Sequence, residues 1–117
     1  MKNIEDYGFD RSDLFIATAV NAYLKNLTSE AREEVLHTIV REDSGDTRID
    51  GPALAALIES AKAAAMIDSE AWQDGGDPLV KKTLDFIREQ LPAVDGKEYV
   101  KKVPESFLRF IEDCAKQ

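Results

Sequence analysis

Apolar residues recur along this chain at intervals of three and four, and each such run predicts a helix. Ile16, Val20, Tyr23 and Leu27 form the first stripe, widened by Phe15, Ala19 and Ala22. Ser12 is placed to open that helix, with Asp13 near its positive end, and the pattern stops near Asn26 and Leu27. Ala31, Val35, Leu36, Ile39 and Val40 form the second stripe. Thr28 or Ser29 caps it, Glu30, Glu33 and Glu34 fill its first turns, and the short join predicts an antiparallel helical hairpin.

The longest weakly polar stretch, Pro52 to Ile67, contains only two charges, Glu59 and Lys62. Leu54, Leu57, Ile58, Ala61 and Ala65 give it one firm face, and alanines cover most of the rest. Alanine has the best helix propensity, and a helix with so little charge is expected to be surrounded by others. This helix runs on to Trp72 or breaks at Asp68 and Ser69.

Asp77-Pro78 starts a fourth helix, carried by Val80, Leu84, Ile87 and Leu91 and stopped by Pro92. Residues 93–103 fit either a short strand or helical turns. Pro104 opens the last helix, with Phe107, Leu108, Ile111, Cys114 and Ala115 on one side. The expectation is an all-α, single-domain bundle of about five helices over residues 1–117, with the Ala-rich helix at its centre. Residues 1–11 form a flexible, acidic lead-in that Tyr7 and Phe9 partly order.

Charge narrows the choice of function. The formal net charge is −8 over 117 residues, with −6 in residues 1–60 and −2 in 61–117. Such a chain does not suit nucleic acid or an anionic membrane, both of which attract clustered Lys and Arg. It suits a basic protein partner, because complementary fields steer association. No run is long and apolar enough for a membrane span, and no secretory signal is visible, so a cytoplasmic location is expected.

Little else points to chemistry. The one histidine, His37, has no nucleophile or metal partner at a meaningful spacing, and the one cysteine, Cys114, lies on an apolar face. No phosphate-binding or cofactor motif is present; Gly75-Gly76 lacks the lysine of a P-loop. Neither an enzyme, a cofactor nor a metal site is expected.

The segment REDSGDTRIDG reads as an acidic loop carrying Glu42, Asp43, Asp46 and Asp50. Its register resembles the calcium loop of an EF-hand, with Glu42, Ser44, Asp46 and Asp50 at positions one, three, five and nine. Thr47 stands where that loop has glycine and Ala53 where it has a bidentate glutamate.

Recognition remains as the main expectation. The first reading is a non-enzymatic module that neutralises or regulates a basic protein, in the manner of immunity proteins and antitoxins that inhibit nuclease toxins. Its contacts would come from Glu42, Asp43, Asp46 and Asp50 with Glu33 and Glu34, and from Trp72 with Asp74 and Asp77, since tryptophan beside acids stacks on Arg and Lys. A second reading is an adaptor or regulatory domain that takes a partner helix in an apolar groove, and a third is a degenerate EF-hand-like protein.

Overall fold

The computed structural model describes residues 4–43, 45–67 and 89–116. A 3-10 turn, Ile4–Tyr7, leads into helices α1 (Arg11–Lys25) and α2 (Ser29–Ile39). Strands β1 (Val40–Asp43) and β2 (Asp46–Ile49) follow, then the Ala-rich helix α3 (Gly51–Ile67). After residues 89–90, which are helical, come a 3-10 turn (Leu91–Ala93), the one-turn helix α4 (Gly96–Tyr99), a further 3-10 turn (Val100–Lys102) and α5 (Glu105–Ala115). The fold is an all-α bundle, with one small two-stranded sheet among the described residues. The helix expected from Pro78 lies outside the described residues apart from its last turn.

Helix α3 is the centre of the packing, in contact with α1, α2, α4 and the turn after α4. Its Leu54, Leu57, Ile58, Ala61 and Ala65 are all buried, as their spacing predicts. Helix α1 packs against it, and Ala17, Ala19, Val20 and Ala22 of α1 are all buried. Helix α2 lies against α3 and α5 rather than along α1, so the expected α1–α2 hairpin does not form. It buries only Leu36 and Ile39, which leaves most of its surface to solvent.

Local signals differ from expectation in two places, at the start of α1 and after α2, and agree with it at the start of α2. Asp10, not Ser12, caps α1: its Oδ1 accepts the Asp13 N–H at 2.9 Å. Thr28 caps α2 by accepting the Ala31 N–H at 3.1 Å. The segment after α2, expected as an open loop, is an antiparallel hairpin that pairs Val40 with Ile49, Arg41 with Arg48, Glu42 with Thr47 and Asp43 with Asp46. Gly45, at φ +87°, supplies the left-handed residue of its tight turn. Val40 and Ile49 pack on the core from its base. A paired hairpin is not the open, oxygen-lined loop of an EF-hand, so the calcium-loop register is not realised in the backbone.

The lead-in also has a place in the core. Ile4 is buried, and Tyr7 and Phe9 stack at 5.5 Å between centroids. Phe9 meets both Phe107 and Phe110 of α5, and the Tyr7 hydroxyl donates to Asp113 Oδ2 at 2.6 Å.

Candidate functional site

The outer face of α2 gathers the exposed acids. With Leu36 and Ile39 turned inward, helical spacing sends Glu30, Glu33, Glu34, His37 and Thr38 outward, and these residues with Arg41 line one shallow surface. Glu33 Oε1 lies 3.6 Å from His37 Nε2, with both side chains 74% exposed, an arrangement that contributes little to stability. None of Glu30, Glu33 or Glu34 takes a described hydrogen bond from another element, and each lies exposed. Glu30 was expected only as a first-turn acid. Its spacing of three and four from Glu33 and Glu34 is the signal that places it on their face.

The hairpin continues directly from this helix, so the two are held in a fixed relation. Two arginines sit among its acids: Arg41 and Arg48 are paired neighbours in the register, both exposed. Arg41 Nη2 approaches Asp50 Oδ2 at 3.4 Å. Asp50 is already committed within the fold. Its Oδ1 accepts the Ala53 N–H at 2.9 Å, its carbonyl accepts the Leu54 N–H, and its own N–H donates to the Ile39 carbonyl at 2.8 Å. It is the cap of α3 and ties that helix to the end of α2. Glu42, Asp43 and Asp46 occupy the strands on either side of the turn. Trp72, Asp74 and Asp77 lie outside the described residues.

Between α2 and the end of α5 runs a groove of about 580 Å³, lined by Arg32, Glu33, Leu36, His37, Glu112 and Lys116 among others. Charges of both signs line it, which is unlike the apolar slot an adaptor would offer to a partner helix. Cys114 also borders it. Burial, reinforced by the charge of Asp113, pushes that thiol up to about 12, so it stays protonated and unreactive at neutral pH.

The other partly buried carboxylates face inward and serve the fold. Asp13 is buried at the start of α1 and accepts the Tyr99 hydroxyl at 2.7 Å. Burial holds its carboxyl above the usual range; the Tyr99 bond acts the other way, and neighbouring Asp10 adds to the rise. Glu59 Oε1 accepts the Gly96 N–H at 2.9 Å, and that bond, ahead of the Lys62 ammonium at 3.2 Å, lowers its carboxyl. The two charges of the Ala-rich helix therefore tie down the segment that crosses it, since Lys62 Nζ also donates to the Val94 carbonyl at 2.7 Å.

Among the described residues no three His, Cys, Asp or Glu side chains gather as a metal site. No described helix is long and apolar enough to cross a membrane. Comparison of the chain with family models, with curated proteins and with solved structures found no match.

Proposed function

We propose that this protein is a non-enzymatic binding module that presents the outer face of α2, with the adjoining hairpin, to a basic protein. The observation that carries this reading is the exposure of Glu30, Glu33 and Glu34 together on one rigid helical face, while Asp13, Glu59 and Asp50 are used inside the fold. Uncommitted carboxylates at fixed spacing are the complement of clustered Lys and Arg, and they speed encounter as well as selecting the partner. In its narrower form the partner is a nuclease toxin, whose phosphate-binding site supplies such a cluster, and the protein acts as its immunity or antitoxin-type inhibitor.

The test is affinity capture from the native host with the wild-type protein and with a triple variant, Glu30→Lys, Glu33→Lys and Glu34→Lys. The wild type is expected to retain a basic protein that about 0.5 M salt elutes, and the triple variant to lose it. Retention of the same protein by both would remove the α2 face from the account.

A further inference from the structure

The face formed by α2 and the hairpin is not uniformly acidic. Arg41 lines the same shallow surface as Glu30, Glu33 and Glu34, so a partner that covers those acids also meets Arg41. Its neighbour across the hairpin is Arg48, and both are exposed. Val40 and Ile49 pack on the core one residue before Arg41 and one after Arg48, and a strand turns successive side chains to opposite faces. The pairing is held in register from the core, and the two arginines share its outward face.

Like charges directly opposite each other in a ladder oppose strand pairing. Asp50 relieves this only in part. Its Oδ2 lies 3.4 Å from Arg41 Nη2, longer than a charge-assisted hydrogen bond, and its Oδ1 accepts the Ala53 N–H. Among the described residues the Arg48 guanidinium makes no ion pair or hydrogen bond. Guanidinium groups fork onto carboxylates, and arginine, unlike lysine, is enriched among residues that anchor interfaces. Against a surface of Lys and Arg alone these two would be pressed onto like charge, which opposes binding.

We propose, on the reading of α2 as the recognition face, that Arg41 and Arg48 form a clamp for a carboxylate of the partner, an Asp or Glu side chain set beside its Lys and Arg cluster. The acids of α2 draw a basic protein in, and the clamp selects which basic protein stays. A purely cationic surface answers the acids and is refused by the clamp.

The test compares two probes: the basic protein that the wild type captures, and poly-L-lysine, which offers cations and no carboxylate side chain. Arg41→Gln with Arg48→Gln makes the face more acidic, so poly-L-lysine should bind at least about twofold more tightly. The captured protein should instead bind at least about tenfold more weakly, with the loss in its dissociation rate. Arg48→Gln alone should leave the thermal midpoint unchanged or raised, because a repulsive pair is gone. A captured protein that binds the double variant as tightly as the wild type, or more tightly, overturns the clamp and leaves α2 as the face. Equal weakening toward both probes overturns it as well, since a carboxylate clamp has no side chain to hold on poly-L-lysine. So does a lowered midpoint in Arg48→Gln, which would show Arg48 committed within the fold. Failure of α2 itself reads differently: the Glu30→Lys, Glu33→Lys, Glu34→Lys variant would then bind both probes as the wild type does.

Discussion

Two sides of this molecule carry carboxylates and use them in opposite ways. Where residues 94–102 cross the bundle, Asp13 and Glu59 each accept a hydrogen bond from a segment distant in sequence, Tyr99 and Gly96 respectively. On the α2 side, Glu30, Glu33 and Glu34 extend into solvent, and the contact from Glu33 to His37 stays within one exposed helix. The lesson is that acidity by itself does not mark a recognition surface. What separates an interface acid from a structural one is whether a donor elsewhere in the fold already occupies it.

The sharpest way to break the inward-facing side is Gly96→Ala. A Cβ there would lie 3.1 Å from the Ala55 carbonyl oxygen and 3.2 Å from Glu59 Oε1, so α4 and α3 must shift apart by a few tenths of an ångström. A loss of about 1–3 kcal/mol is expected in denaturant unfolding, as for other overpacked contacts. An unchanged midpoint would mean that Gly96 is not seated on α3 as described.

Asp50→Ala comes next, with an expected loss of about 1 kcal/mol by the same measurement, because the α3 cap disappears. This variant sharpens the comparison, since it asks to which group Asp50 belongs. A neutral result would return Asp50 to the free acids of the α2 side. For the same reason, charge reversal at Asp50 confounds any binding test, and Glu30, Glu33 and Glu34 are the cleaner targets.

The smallest stability effect belongs to Glu33→Gln with Glu34→Gln. Exposed and without long-range partners among the described residues, the pair should shift stability by no more than about 0.5 kcal/mol, measured by thermal unfolding. A larger loss would show that these acids support the fold and would erase the contrast between the two sides.

Much of the fold is legible in the sequence because helical periodicity is a local signal. The buried face of α3, Ile16, Ala19, Val20 and Ala22 of α1, and Phe107, Ile111 and Cys114 of α5 follow their spacing, whereas Ala17, Leu24 and Phe110 are buried outside the expected stripes and Ala115 is exposed. The hairpin was less legible: Val40 continues the α2 stripe by spacing, and only the turn at Gly45 and the alternation through Thr47 to Ile49 diverts it into a strand. Long-range ties were not legible at all. No local pattern says that Glu59 meets Gly96, 37 residues away, or that Tyr99 meets Asp13, 86 residues away. The spacing of Glu30 from Glu33 and Glu34 and the cap that Asp50 makes on Ala53 are local, by contrast, and both are written in the sequence.

The most direct measurement of the central claim is the association rate between the purified protein and the basic protein it captures, followed against ionic strength. For the wild type the rate should fall steeply with salt; in the Glu30→Lys, Glu33→Lys, Glu34→Lys variant it should be at least about tenfold lower at low salt and nearly salt-independent. An unchanged rate and slope in that variant would contradict the assignment of α2 as the recognition face.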